Sequence, residues 1–240
     1  MTITRRTASR LLWAFALAGC AAAPPPPATP PAAAAQARPL AATYAELARA
    51  GGRVMRLSPA ESSLRILVFR AGRAARLGHN HVLTAPRFTG YFHLPDDGPA
   101  RATFDLEFRL DELQIDDPAQ RAALGSAWAS VISQPMIDGT RDHMLSASNM
   151  DAQHYPYVRV HALEISGEAP HFAARVAFEM HGQVREFWLP LKVSGLPERV
   201  EVEGSVVLRQ TDFGVRPYSV GAGLLAVKDE VIVEFRLVGH

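Results

Sequence analysis

The chain has 240 residues, of which 25 are Lys or Arg and 24 are Asp or Glu, and its formal charge is +1 when the histidines are neutral. A charge this close to zero provides no electrostatic attraction for nucleic acid, so the composition excludes that class of partner. Cys20 is the single cysteine, so the chain has no internal disulfide and its fold must depend on a hydrophobic core.

The first twenty residues predict a lipoprotein signal peptide over residues 1–19. Three arginines among the first ten residues precede an apolar run at 11–18. A run of about 8 residues is too short to span a bilayer, which needs roughly 20. The sequence Leu-Ala-Gly-Cys at 17–20 resembles the lipobox of bacterial lipoproteins, which implies cleavage before Cys20 and lipid attachment to it; an ordinary signal peptide is the alternative. We therefore expect a periplasmic protein anchored to a bacterial membrane, and Ala21 favours the outer membrane.

Residues 20–50 are expected to form a tether with a short lead-in to the folded domain. Residues 21–40 are almost entirely Ala and Pro, which favours a semi-rigid polyproline II segment. At about 3.1 Å per residue, such a segment extends some 50–60 Å. A short helix is predicted at 43–50, capped by Thr43 and ended by two glycines.

Alternation of apolar and polar residues then dominates the predicted domain at 51–240. In the clearest predicted strand, at 103–110, every even position is apolar and every odd position is polar. One apolar face per strand, with short turns between strands, predicts an antiparallel sheet that closes on itself. We therefore expect an all-β fold with a helical insertion, a single antiparallel β-barrel. Further strands are predicted near residue 54 and at 64–69, 79–83, 88–94, 157–165, 172–180, 187–193, 200–208 and 231–238.

The segment at 117–150 interrupts the strand pattern and predicts helices. Asp117 is the expected N-cap and Pro118 the first helical residue. Pro135 is expected to end this helix, and Asp138 to cap a second one. The insertion is either packed on the barrel surface or a lid over one end, and the sequence leaves both open. The apolar stripe expected on the first helix consists of Leu124, Trp128, Val131 and Ile132.

Three ordered motifs resemble the YceI-like family over residues 53–238. They are Phe-Thr-Gly-Tyr-Phe at 88–92, the segment from Gly-Thr-Arg-Asp-His-Met-Leu at 139–145 through His-Tyr-Pro-Tyr at 154–157, and Leu-Arg-Gln-Thr-Asp-Phe-Gly-Val at 208–215. The resemblance implies an extended lipocalin-like barrel that binds a polyisoprenoid or a similar long amphiphile along an apolar tunnel. It implies neither catalysis nor a cofactor, and no local motif of a hydrolase or metalloprotease occurs in the sequence.

Two groups of residues are candidates for ligand binding. Phe104, Leu106 and Phe108 form the apolar face of the clearest strand and are expected to face the barrel interior. An eight-stranded barrel is either filled by its own side chains or holds one ligand, and the sequence does not decide between these. The polar contacts at the mouth are assigned to His79, His81 and Arg141.

The polar candidates also have other interpretations. His79 and His81 alternate along a predicted strand and so share a face, which is a possible start of a metal site in a metal- or redox-associated periplasmic protein. Such a site needs a third ligand, and the sequence does not select one. A filled barrel that serves as an interaction scaffold is a further alternative, and Arg141 has a structural alternative as a partner of Asp142. The candidates for the third metal ligand are His93, His143, His154 and His161.

Overall fold

The computed structural model describes residues 39–240, so the predicted signal peptide, Cys20 and nearly all of the tether lie outside the described residues. The described chain contains three α-helices: α1 (Leu40–Ala50), α2 (Pro118–Ala123) and α3 (Gln134–Leu145). No helix within 39–240 is both long and apolar enough to cross a membrane. The strands are β1 (Arg53–Arg56), β2 (Ser63–Ala71), β3 (His81–Thr84), β4 (Thr89–Leu94), β5 (Thr103–Arg109), β6 (Gln114–Ile115), β7 (Tyr157–Glu168), β8 (His171–Met180), β9 (Gln183–Ser194), β10 (Val200–Arg209), β11 (Ser219–Val220) and β12 (Leu225–Gly239).

These strands form one curled antiparallel sheet in the order β1-β4-β5-β7-β8-β9-β10-β12-β2-β3-β6, and β11 pairs with β12. The sheet curls far enough for its β1 edge to meet the end of β12. There Leu57 forms a bridge with Gly239, and Arg56 and His240 exchange main-chain hydrogen bonds of 2.8 and 3.1 Å. The predicted lipocalin-like antiparallel barrel is therefore confirmed, and every predicted strand is present.

The barrel interior is apolar because one face of each long strand carries the apolar residues. In β5, Leu106 and Phe108 are buried, whereas the odd-numbered residues of the strand are partly exposed. In β7, the register with β8 shifts between Ala162 and Glu164. This bulge moves the inward position from even to odd residues, so Ile165 faces the interior like Val158 before it.

Helix α1 packs on the outer face of the barrel. Tyr44 is buried, its hydroxyl donates to the Asp105 carboxylate at 2.8 Å, and its ring stacks on Tyr91 with the centroids 5.0 Å apart. The helix ends before Gly51 as predicted, but it begins at Leu40, and Thr43 therefore lies inside the helix and does not cap it. The lead-in is thus part of the folded unit.

The helical insertion differs from its prediction after its first turn. Asp117 caps α2 as expected, accepting 3.0 Å hydrogen bonds from the main-chain N–H groups of residues 119 and 120. The predicted apolar stripe to residue 132 is wrong, because the chain leaves the helix before Gly125, whose φ of 83° is left-handed. Pro135 lies in the first turn of α3 and does not end a helix, since proline fits the first turn, where no N–H donor is needed. Asp138 is therefore inside α3 and caps nothing.

The first part of the insertion covers the outside of the sheet at β2 and β3. Trp128 is buried against Leu67 and Val82, and its ring meets Phe69 edge-on at a centroid distance of 5.9 Å. These strands are consequently buried on both faces, which explains why β2 reads as a nearly continuous apolar run. The stripe residue Val131 is 93% exposed, so it takes no part in this packing.

Candidate functional site

A cavity of about 760 Å³ occupies the barrel interior. Ligand pockets in proteins commonly measure about 300–1,000 Å³, so the volume suits one sizeable ligand. The cavity contradicts the alternative of a barrel filled by its own side chains. Its apolar wall comes from nine strands, represented by Leu64, Leu83, Phe92, Leu106, Val160, Phe178, Leu189, Val206 and Val233.

The three aromatic and aliphatic residues predicted from β5 all line this cavity. Phe104, Leu106 and Phe108 point inward from alternate positions, which confirms their predicted orientation. Their contact with a ligand stays a prediction. The phenyl rings of Phe178 and Phe187 add to the same wall, with centroids 6.1 Å apart.

The two ends of the barrel differ in their lining. At one end, short turns such as 95–102 and 195–199 connect the strands. At the other end, which we call the mouth, the cavity is bordered by α3, by the loop at 72–80 and by the hairpin at 219–226. The polar side chains of the lining lie mainly at the mouth. They are Arg70, His79, His81, Thr140, His143, Asn149, Gln210 and Tyr218.

His81 belongs to a buried polar cluster beside the mouth. Its Nδ1 lies 2.6 Å from Oδ2 of Asp116, whose side chain is fully buried. The other carboxylate oxygen accepts hydrogen bonds from Arg121 at 2.6 Å and from the Val82 main-chain N–H at 3.1 Å. Arg121 also donates to the Asn80 carbonyl at 2.7 Å. The cluster therefore joins β3 to α2 through a carboxylate with three donors.

The hydrogen bonds of this cluster favour the ionised form of Asp116. Burial raises the pKa of Asp116, but the hydrogen bond from His81, its charge, and the bonds from Val82 and Arg121 outweigh burial, so the pKa lies below its ordinary value. An ionised carboxylate only accepts hydrogen bonds, so His81 must donate from Nδ1. Nε2 of His81 has no partner among the described residues, and the residue lines the cavity.

His79 lies just before β3 and also lines the cavity, although the sequence placed it inside the strand. Its Nδ1 is 3.2 Å from Oγ of Ser130, a hydroxyl that also accepts a hydrogen bond from Arg121 at 3.0 Å. Burial lowers the pKa of His79, and the nearby charges of His81 and Arg121 lower it further. His79 is consequently neutral at neutral pH.

Arg141 belongs to α3, and its guanidinium is bonded to the main chain. Its guanidinium donates to the main-chain carbonyls of Asp111 at 3.2 Å and Leu113 at 2.8 Å, and it is not part of the cavity lining. These bonds attach α3 to the chain between β5 and β6. The partners of Arg141 are thus carbonyl groups and not Asp142, and its contact with a ligand headgroup stays a prediction.

The metal alternative finds no third ligand in the described part of the chain. Within residues 39–240, no group of three or more His, Cys, Asp or Glu side chains is placed to hold a metal ion. His143 lines the cavity, where its ring meets Tyr218 at 4.7 Å. The remaining candidates bond elsewhere: His93 with the Gly51 carbonyl, His154 with Asp151, and His161 with Asp105.

Sequence reasoning missed Asp116 and Arg121, although both are needed to orient His81. The only local signal is the paired carboxylates Asp116 and Asp117, of which one caps α2 and the other has a positive φ of 56° and turns inward. Arg121 is 5% exposed in a helix of six residues, and nothing in its local sequence indicates burial.

The fold and the family of the chain were compared with those of known proteins. BcnA of Burkholderia cenocepacia has a similar structure, with a TM-score of 0.54, 14% identity, and coverage of 76% of this chain and 98% of that one. The YCEI protein of Campylobacter jejuni gives a TM-score of 0.42 at 8% identity, covering 55% of this chain and 70% of that one. At such identities the likeness to BcnA shows the fold alone. No curated protein sequence matches the chain. The model of the YceI-like domain matches residues 56–239, and the chain therefore belongs to the YceI-like family.

Proposed function

We propose that this protein binds one long-chain lipid of the polyisoprenoid class in the barrel cavity and performs no catalysis. The observation that carries the proposal is the apolar cavity of about 760 Å³ inside the barrel. The YceI-like family is known for barrels that bind polyisoprenoids, which supports the ligand class. The walls offer apolar contact along most of the barrel, and polar side chains are concentrated at the mouth.

Burial of the hydrocarbon chain supplies the affinity. Each methylene group removed from water contributes about 0.8 kcal/mol. A lipid in a bilayer is already removed from water, so its transfer from the bilayer into the barrel is nearly neutral. Selectivity then depends on cavity length and on the polar contacts at the mouth.

The ligand's polar end is assigned to the histidines at the mouth. Nδ1 of His81 is bonded to Asp116, which leaves Nε2 free to form a hydrogen bond with the ligand. A hydroxyl group on the lipid both donates and accepts hydrogen bonds, so it can pair with Nε2 whether or not that nitrogen carries a proton. The neutral ring of His79 provides a second polar surface beside it. We therefore assign a hydroxyl-bearing polar end to the bound lipid.

The proposal includes a location at a bacterial membrane. The Leu-Ala-Gly-Cys sequence supports lipidation of Cys20 and a periplasmic lipoprotein, at the outer membrane by the rule for Ala21. A tether of about 50–60 Å keeps the barrel close to its lipid source and raises the effective concentration. Metabolic labelling with a radioactive fatty acid tests the anchor, and a chain with Cys20→Ser must lose the label.

Matched variants on one strand test the binding function. Val206 lines the cavity and the next residue, Val207, is 59% exposed on the outside of β10. We expect Val206→Trp to weaken binding of geranylgeraniol, because the indole projects into the cavity, while Val207→Trp leaves binding unchanged. Binding is measured by titration calorimetry, and both variants are checked for a native fold by circular dichroism. Equal binding by both variants, or no binding by the unmodified chain, would show that the cavity is not the lipid site.

A further inference from the structure

Large apolar side chains are exposed around the mouth of the barrel. Leu77, Met136 and Tyr218 are 68%, 46% and 38% exposed and also line the cavity, so they stand at its opening. Val131 follows Ser130, whose hydroxyl lies 3.2 Å from Nδ1 of His79. Leu224 lies beside the loop at 72–80, because its carbonyl accepts a 2.9 Å hydrogen bond from Ala74. We call the following residues the mouth rim: Leu77, Val131, Met136, Tyr218, Val220 and Leu224.

The mouth rim holds more exposed apolar residues than the rest of the described surface. Of the eleven large hydrophobic residues exposed within 39–240, six belong to it, and they come from three separate segments of the chain. Apolar residues scattered singly on a surface need no explanation, but a group around one opening marks an interaction site. The rim also continues directly into the cavity wall.

The chain around the mouth rim is rich in arginine. Residues 70–79 contain three arginines and no acidic residue, and residues 215–228 contain Arg216 and Lys228 and no acidic residue. Helix α3 carries two acids against one arginine, so it does not cancel this charge. Within the described part of the chain, neither Arg76 nor Arg216 forms an ion pair, and both are exposed. The border of the rim is therefore cationic and available to an anionic surface.

We propose that the mouth rim docks on an anionic lipid bilayer, so that the cavity opens directly into the membrane. Apolar side chains bordered by arginines match the two layers of such a surface, acyl chains beneath anionic headgroups. A long lipid then passes between bilayer and barrel without exposure of its hydrocarbon to water. The inference rests on the proposed lipid-binding function, because it supplies the route by which the ligand enters.

The single cysteine makes a site-specific test possible. In the full chain with Cys20→Ser, lipid attachment is removed and a fluorophore can be placed at one new cysteine. Val131→Cys places it on the mouth rim, where the side chain is 93% exposed. Ala100→Cys places it at the opposite end, in the exposed turn before β5. The probe is a vesicle of phosphatidylcholine and phosphatidylglycerol, compared with a vesicle of phosphatidylcholine alone.

Docking predicts a blue shift and quenching by lipid-attached quenchers for the label at Val131→Cys on anionic vesicles, and neither effect at Ala100→Cys. The matched charge variant is Arg73→Gln with Arg76→Gln. Each basic side chain near an anionic surface contributes about 1 kcal/mol, so this double variant should weaken partitioning about 30-fold. High salt should weaken it as well.

Several outcomes would overturn the docking proposal. The fluorescence of the label at Val131→Cys could stay unshifted, or it could shift equally at both labelled positions. The double arginine variant could partition onto vesicles as well as the unmodified chain. Finally, the label at Val131→Cys could become shielded from water without vesicles as the protein concentration rises, which would indicate contact between two copies. Geranylgeraniol binding measured without vesicles separates the two proposals. Binding that persists when docking fails overturns the docking alone, whereas absence of binding in the unmodified chain refutes the lipid-binding function.

Discussion

Replacement of Arg121 by methionine tests whether the buried cluster is held by its ion pair. The side chains of Arg121 and Asp116 are 6% and 0% exposed, and their charged atoms are 2.6 Å apart. Removing one partner of a buried pair commonly costs about 3–5 kcal/mol, because the other charge is left without compensation.

From the structure, we expect the loss of stability caused by Arg121→Met to lie at the lower end of that range. Asp116 keeps its hydrogen bonds from His81 and Val82 in the variant. The Nε–H of Arg121 has no acceptor among the described residues, so its removal also relieves a penalty of about 1 kcal/mol. We therefore expect a loss of about 3 kcal/mol in the free energy of unfolding, measured by urea denaturation.

Two comparisons make this prediction refutable. Arg101 forms an ion pair of 2.8 Å with Asp97 on the surface, where the side chains are 78% and 50% exposed. Arg101→Met should cost no more than about 0.5 kcal/mol. Adding Asp116→Asn to Arg121→Met removes the uncompensated charge and should recover part of the loss. A loss below about 0.5 kcal/mol for Arg121→Met would refute the argument.

The remaining predictions concern pH and packing. The hydrogen bond to Asp105 raises the pKa of His161 above its ordinary value near 6.5; partial burial opposes this shift, and the charge of Asp105 adds to it, so the net shift is upward. The pair therefore stabilises the fold fully below about pH 6.5 and less as the pH rises through the higher folded-state pKa; His161→Gln should remove this dependence from a series of thermal melts. A Cβ at Gly204 would lie 2.5 Å from the Phe235 ring, so Gly204→Ala should destabilise by about 1–3 kcal/mol. Gly139 has open space around it within α3, and Gly139→Ala should stabilise by about 0.5–1 kcal/mol in the same urea assay.

The strand pattern could be predicted from the sequence because burial on one face requires an apolar residue at every second position. The alternation in residues 103–110 predicted β5 and its inward side chains, and the Asp-Pro pair predicted the start of α2. The same reasoning missed β6 and β11, since strands of two residues contain no period.

The helical spacing of apolar residues at 124–132 led to the wrong prediction of one continuous helix, because these residues are apolar for different reasons. Trp128 packs on the outside of β2 and β3, whereas Val131 is exposed at the mouth rim. A left-handed glycine at 125 prevents one continuous helix from joining them. Local periodicity does not reveal which surface each side chain meets.

The sequence by itself determined the antiparallel barrel and its apolar interior, because both follow from periodicity along each strand. Only the tertiary structure decided that the interior is hollow, since cavity volume is a difference between barrel size and the summed volume of inward side chains. Only the structure shows that Asp116 bonds to both His81 and Arg121, and that Arg141 donates to main-chain carbonyls. These contacts depend on how the insertion folds back on β3, and separation along the chain carries no information about that geometry.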